Sequence, residues 1–390
     1  MSKRIALNNL RVVLPNEVRD DTSLIIESGK IVGIVPSGTE VATNAQFDLG
    51  GQVAFPGFID VHVHGAGGGS FASPNPEQHL AAREFHLSKG TTSLYATTGT
   101  ADLDSLKTAL SALAESSSVD SGSRVLGIHT EGPFISTKKP GAHQISLLRN
   151  GSISEFQELI KASHSLIKRI TLAPEIAGGM ELLSFLLKEG IQVSTGHSHA
   201  TYKEALDAFR AGSQSVTHMF NAMSGFNHRE PGLIGAVLDS SEVYTEVILD
   251  EVHVHPAAFR ILLKSRPIDR TVLITDAVPL AGMPDGESPR IDGRLVDKNG
   301  MTIKIRGTDT LAGSALDMNM ALKNAAKNSN LDLPQLSQIA SLNAARLMGV
   351  SDRYGSLEVG KCADIAILDS SLNVTGVLLD GRWRSGSFAK

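Results

Sequence analysis

The chain has 390 residues, 41% of them hydrophobic and 20% charged, a net charge of −5 and a single cysteine. That length asks for one large domain with an appendage or for two domains, and the mild acidity without a dense Lys/Arg run argues against nucleic acid or an anionic membrane as partner. Cys362 alone rules out an intrachain disulfide framework and a cysteine-based zinc site, and no apolar run approaches the ~18 residues that span a bilayer, so a cytoplasmic protein without a signal peptide is expected.

Residues 1–52 read as short strands (Ile5–Leu7, Val12–Leu14, Ser23–Ile26 and Ile31–Val35) broken by Asn, Asp, Gly and Pro. The other end, 355–390, is patterned alike, with Gly355–Gly360, Ala363–Leu368, Val374–Leu379 and then Gly381-Arg382-Trp383. Neither end can bury a strand face alone, so the two are expected to pair into one small β-sandwich domain, 1–52 plus 355–390. Residues 53–354 change pattern to apolar strand, turn and amphipathic helix, repeated. Strands are expected at Val53–His64, Thr91–Ala96, Arg124–Thr130, Ile167–Ala173, Ile191–Gly196, Ser215–His218, Val243–Asp250 and Thr271–Asp276. Helices are expected at Pro76–Lys89, Ala101–Glu115, Ile153–Lys161, Met180–Lys188, Tyr202–Arg210, Pro256–Lys264, Met318–Lys327 and Pro334–Ala340. Eight strands alternating with helices is the order of a (β/α)8 TIM-type barrel. A hairpin inserted after the eighth strand is expected at Arg290–Ile305, turning at Lys298-Asn299-Gly300.

In such a barrel, chemistry gathers at the C-terminal ends of the strands. The first strand ends His62-Val63-His64-Gly65, and alternate strand residues share a face, so the two imidazoles converge as ligands for a metal such as Zn or Fe. A bare His-x-His is more often chance on a polar face. Here, however, the later strand ends repeat the chemistry: His129-Thr130-Glu131, Pro174-Glu175, His197-Ser198-His199, His218-Met219-Phe220-Asn221, His253-Val254-His255 and Asp276-Ala277. Random placement of 13 histidines would not favour one rim so heavily.

The motifs run in order: Pro-Gly-Phe-Ile-Asp-Val-His-Val-His-Gly at 56–65, Glu-Gly-Pro-Phe at 131–134, Lys-Lys-Pro-Gly-Ala-His at 138–143 and Leu-Ala-Pro-Glu at 172–175. Gly-His-Ser-His-Ala-Thr-Tyr at 196–202, Thr-His-Met-Phe-Asn-Ala-Met at 217–223, Arg-Glu-Pro-Gly at 229–232, Thr-Asp-Ala at 275–277 and Leu-Ala-Gly-Ser at 311–314 follow. The series resembles the amidohydrolase superfamily, and within it the sugar-phosphate deacetylase branch. The resemblance implies that Glu131, His197 and His218 hold the metal that activates water. It implies that His62 and His64, with Glu131 bridging, offer a second metal position. One or two divalent metals per subunit are therefore expected, Zn first, with Fe, Mn or Co as alternatives. Relatives that bridge their metals with a modified lysine carry it after the fourth strand; this chain has Pro174-Glu175 there and no lysine.

By the same resemblance, Asp276 is the general acid/base and His253 polarises the substrate carbonyl, with His255 given to the start of the next helix. Asn221, the Ala222 backbone and Arg229 would hold a phosphate, and His143 the sugar hydroxyls. Arg229 would act in the neighbouring subunit's site of a homodimer; on the residues alone it is an exposed partner of Glu230. Glu175 is expected to orient the rim through hydrogen bonds and His199 to lie behind the ligands or at the surface, while His79, His86, His129 and His164 carry no motif and are expected as ordinary helix, core or surface residues. The implied reaction is hydrolysis of N-acetyl-D-glucosamine 6-phosphate to D-glucosamine 6-phosphate and acetate, in amino-sugar catabolism. The galactosamine epimer, N-acyl amino acids or cyclic amides, and a non-catalytic sugar-phosphate sensor are the alternatives.

Overall fold

A computed structural model describes residues 4–289 and 293–386. Arg290, where the hairpin was expected to start, lies outside the described residues, as do residues 1–3 and 387–390 of the expected terminal domain.

Eight parallel strands form the barrel in chain order: Phe58–Val63, Thr91–Thr98, Arg124–Glu131, Ile167–Leu172, Gln192–Thr195, Ser215–Val216, Tyr244–Ile248 and Thr271–Ile274. Nearly every residue in them is buried, polar ones included, as in strands covered on both faces. The eighth strand meets the first through individual bonds: Asp276 N donates to His62 O at 2.8 Å and His64 N to Ala277 O at 2.8 Å. The buried Asp60 carboxylate accepts from Thr275 Oγ1 at 2.5 Å across the same seam and from His62 N of its own strand at 3.1 Å. Burial raises the Asp60 pKa to about 6. At the opposite end of the barrel, Ser341 Oγ donates to Gly57 O at 3.1 Å and Asn343 Nδ2 to Thr271 O at 2.8 Å and Ile268 O at 2.9 Å. One helical segment thus fastens the starts of the first and eighth strands.

The expected helices form with their boundaries within a few residues, starting on side-chain caps such as Asn75, Asp102, Ser152 and Asp317. Thr201 and Glu204 make a reciprocal capping box. A further helix, Gly232–Asp239, was not expected: its run is apolar on nearly every side and carries no period. The last expected helix begins at Leu333 and continues to Leu347 through a π-turn at Gln338–Leu342.

The run Val53–His64, expected as one strand, is two. Val53–Pro56 joins the terminal sheet, parallel to Arg4–Val13 and antiparallel to Ile365–Leu368, so that sheet reaches past residue 52. Gly57 then passes so close to Thr92 that a Cβ would lie 2.2 Å from its Oγ1, and Phe58 opens the barrel. Arg4–Val13, with Ala45–Asp48 parallel to its start, then Val18–Glu27 and Lys30–Pro36 complete one side of the terminal sheet, and Val374–Leu379 and Arg382–Gly386 the other. The sheet curls over a core of Leu7, Leu10, Leu24, Ile26, Ile365 and Leu378. Phe47 and Trp383, from opposite ends, meet at 5.7 Å between ring centroids. The insertion is three-stranded, Gly286–Pro289, Leu295–Asn299 and Thr302–Ile305, one strand more than a hairpin. Among the described residues no helix is long and apolar enough to cross a membrane.

Candidate metal centre

The barrel mouth opens into a cavity of about 760 Å³ lined by His64, Glu131, His143, His197, His218, Asn221, Ala222, His253 and Asp276 among others. Its far wall comes from the insertion and the return to the barrel, through Ser288, Pro289, Val296 and Leu311. Leu311 opens the Leu-Ala-Gly-Ser motif, whereas nothing in their local sequence marks the other three for a role. Three ligand-type residues take a left-handed backbone at their strand ends: His197 (φ 46°), His218 (φ 31°) and Asp276 (φ 49°). For residues other than glycine that conformation is uphill by about 1–2 kcal/mol, and turning the chain sharply there aims the side chains into the mouth.

Glu131, at the end of the third strand, is the hub. Its Oε1 lies 3.2 Å from His197 Nε2, 3.1 Å from His218 Nε2 and 3.3 Å from His62 Nε2. Its Oε2 lies 3.1 Å from His64 Nε2 and 3.3 Å from His143 Nε2. Asp276 Oδ1 stands 3.2 Å from His64 Nε2 and 3.5 Å from His62 Nε2. The ring nitrogens also face one another, His197 and His218 at 3.0 Å and His62 and His64 at 3.3 Å. His143, expected at the sugar, therefore also stands in the cluster with Glu131 and His197.

The donor set fits a divalent cation. His197 Nδ1 lies 2.9 Å from Lys139 O, a carbonyl that only accepts, so Nδ1 carries the proton and Nε2 of the neutral ring a lone pair. That lone pair points at a carboxylate oxygen and at a second imidazole nitrogen. Acceptors packed this way repel one another until a cation or extra protons stand between them. Protons serve in the metal-free protein: burial would push the His62 imidazole down, but Glu131 and Asp276 outweigh it and raise its pKa. His64 is raised in the same way, against burial, by bonds to Asp276 and Glu131. Burial would raise both carboxylates, yet His62 chiefly holds Glu131 well below its ordinary range, and His62 and His64 hold Asp276 at about 2. Both are carboxylates at neutral pH.

Asp250 orients His253. Its Oδ2 sits 2.6 Å from His253 Nδ1, and its Oδ1 accepts the backbone N–H of Val252 and His253. Burial opposes it, but Asp250 raises the His253 pKa. His255 caps the following helix, accepting from Ala257 N at 3.1 Å, as expected from its place before Pro256. Glu175 accepts from Ser198 Oγ and His199 N, the rim-supporting role expected of it, and His199 is exposed. His79 and His86 are buried helix residues and His164 is exposed.

Asn221 and Ala222 line the cavity on a loop with left-handed backbone at His218, Phe220 and Ala222. Arg229 is exposed and not among the cavity residues of its own chain. Glu230 does not pair with it among the described residues; that carboxylate accepts from Tyr202 N and Gly232 N instead.

Three residues under the site have no role assigned from the sequence. Glu246, in the seventh strand, reaches His62 Nδ1 at 3.3 Å and forms a short ion pair with Arg169 of the fourth, all three side chains being inaccessible. His129 sits edge-on to His62 at 4.6 Å between ring centroids, its nitrogens on the Thr97 and Thr171 hydroxyls. The available signal was a charge inside each of two largely covered strands, Arg169 beside the exposed Lys168 in Ile167–Leu172 and Glu246 in Tyr244–Ile248, where buried opposite charges must pair.

Comparison with known proteins gives the family and the fold. The model of the amidohydrolase family matches residues 53–384. The N-acetylglucosamine-6-phosphate deacetylase of Bacillus subtilis (strain 168) is 34% identical over 396 residues, covering 96% of this chain and 95% of that protein. The N-acetylgalactosamine-6-phosphate deacetylase of Escherichia coli O157:H7 is 34% identical over 367 residues, covering 94% and 95%. Among solved structures, an N-acetyl-D-glucosamine-6-phosphate deacetylase mutant from Mycobacterium smegmatis, in complex with N-acetyl-D-glucosamine-6-phosphate, superposes with a TM-score of 0.91 at 31% identity over 98% of this chain and 99% of that one.

Proposed function

The chain belongs to the amidohydrolase family, and from that premise we propose that it hydrolyses N-acetyl-D-glucosamine 6-phosphate to D-glucosamine 6-phosphate and acetate. The observation that carries the reading is the convergence of the His62, His64, His143, His197 and His218 imidazoles on the Glu131 carboxylate, in a cavity large enough for a sugar phosphate. The substrate class is supported by relatives matched over nearly the whole chain and by the substrate complex of the Mycobacterium smegmatis protein.

Glu131, His197 and His218 would hold one divalent cation, and His62 and His64, sharing Glu131, a second; Zn, Fe, Mn and Co all suit such donors. A bound cation of this kind supplies Lewis acidity and lowers the pKa of water to roughly 7. Asp276, ionised and facing the cluster, takes the proton from the attacking water and returns it to the nitrogen as the C–N bond breaks. That return matters because an amide anion is a very poor leaving group. His253, fixed through Nδ1 by Asp250 and biased toward the imidazolium, donates from Nε2 to the carbonyl oxygen as negative charge develops there. His143 lies where sugar hydroxyls would meet it, and Asn221 with the Ala222 backbone contacts the phosphate.

Arg229 suits phosphate by its planar fork. Its exposure, its absence from its own cavity lining and the engagement of Glu230 elsewhere support a homodimer in which it serves the neighbouring subunit's site. The test is acetate release from N-acetylglucosamine 6-phosphate, its galacto epimer and the dephosphorylated sugar, with metal analysis of the same sample. Expected are the highest kcat/KM on the phosphorylated gluco sugar and one or two divalent ions per chain. A preference for the galacto epimer, in keeping with the Escherichia coli relative, would reassign the substrate, and equal activity without phosphate would remove the phosphate site.

A further inference from the structure

Each ligand imidazole presents one nitrogen to the cluster, and the partner of its other nitrogen decides whether the presented one carries a lone pair. His197 is set by the Lys139 carbonyl. His218 Nδ1 has no partner among the described residues. His62 differs from both, because its Nδ1 faces the Glu246 carboxylate at 3.3 Å. With no exposed surface on either side chain, no water competes for that bond. A lone carboxylate at this depth would be strongly disfavoured. Arg169 neutralises it through Oε1, also donating to Ser215 Oγ at 3.1 Å, and Oε2 is left for His62. The His129 ring, pinned between two threonine hydroxyls, stands edge-on to His62 and restricts its tilt. A buried ion pair adds little stability over apolar residues of the same volume, so stability alone is a weak reason for these charges.

We infer that Glu246, neutralised by Arg169, is a positioning residue that fixes His62 as the Nδ1–H tautomer and thereby sets the affinity of the His62–His64 position for a divalent cation, leaving the Glu131–His197–His218 position largely untouched. The inference rests on the metal centre proposed above.

Zinc titration of metal-stripped protein against a chelating indicator tests it, with the wild type compared with Glu246→Gln and with the double variant Glu246→Leu/Arg169→Met. The double variant removes both charges, so no unpaired ion is left buried. Expected are folded proteins, one zinc equivalent close to wild-type affinity, and a second weakened by about 10–100-fold in the double variant and less in Glu246→Gln, which keeps an acceptor. A double variant that takes zinc as the wild type does overturns the inference. A wild type that takes no cation instead fails the metal centre itself, which separates the two readings. A readout that needs no variant is the imidazole ¹⁵N spectrum of the metal-loaded wild type, with His62 assigned. A proton on its Nδ1 is expected; a proton on Nε2 overturns the role of Glu246 even where the variants do not fold.

Discussion

Asp276 combines a left-handed backbone, burial and a pKa held near 2, which suits the proton-taking role proposed for it. Asparagine tolerates the same backbone, so Asp276→Asn should lose about 10²–10⁴-fold in kcat while metal content stays unchanged; acetate release and elemental analysis check both. Gly141 passes over His197 at φ +53°, where an added Cβ would sit 2.8 Å from its Cε1. Gly141→Ala should push that ring and weaken zinc binding on the order of ten-fold, read by indicator competition. His86 gives the pH dependence its sign. Burial lowers its folded pKa to about 4 from 6.5, so its contribution is full above pH 6.5 and is lost as pH falls toward 4. The loss amounts to roughly 3 kcal/mol, and His86→Leu should flatten the difference between urea midpoints at pH 7 and pH 4.5. At this scale the sequence spoke clearly only where a residue belonged to a recurring strand-end pattern. His62 and Asp276 did; Glu246 and Arg169, which act by holding another side chain, have partners set by the closure of the barrel and invisible to local spacing, whereas Asp250 holds His253 only three residues on.

The barrel strands were legible because a covered parallel strand is an apolar run with a hard stop, and most helices because one face repeats every three to four residues. Gly232–Asp239 was missed for the converse reason, being apolar nearly all round. Val53–His64 was misjudged because apolarity does not tell which sheet a strand joins: Gly57 alone separates its two halves. The helical segment beyond Leu333 has a function its period could not suggest, since Asn343 satisfies two backbone carbonyls where the eighth strand begins. Asn343→Ala leaves both without that donor and should destabilise by about 1–3 kcal/mol in denaturant unfolding. Because the chemistry lies at the other end of the barrel, kcat at 25 °C should stay near wild type.

On the scale of the molecule, the barrel supplies every cluster residue from one chain, whereas Arg229 faces outward. Arg229→Ala should therefore raise KM for the phosphorylated sugar by about 10–100-fold, as expected for a lost charged hydrogen bond to phosphate, with little change on the dephosphorylated sugar; sedimentation velocity of the wild type should give a dimer. The composition and the alternation of elements made this architecture readable down to the pairing of the two chain ends, but which strands of those ends lie side by side needed three dimensions. That arrangement bears on how the protein is made. Val53–Pro56 leaves the ribosome ahead of the barrel, its neighbour Ile365–Leu368 only after it. Throughout synthesis of the barrel, the N-terminal strands wait with an open edge, the kind of surface on which nascent chains stick together. Shortening the chain to residue 362 should leave that edge bare for good, and the shortened protein should collect in the insoluble fraction with its catalytic residues all present.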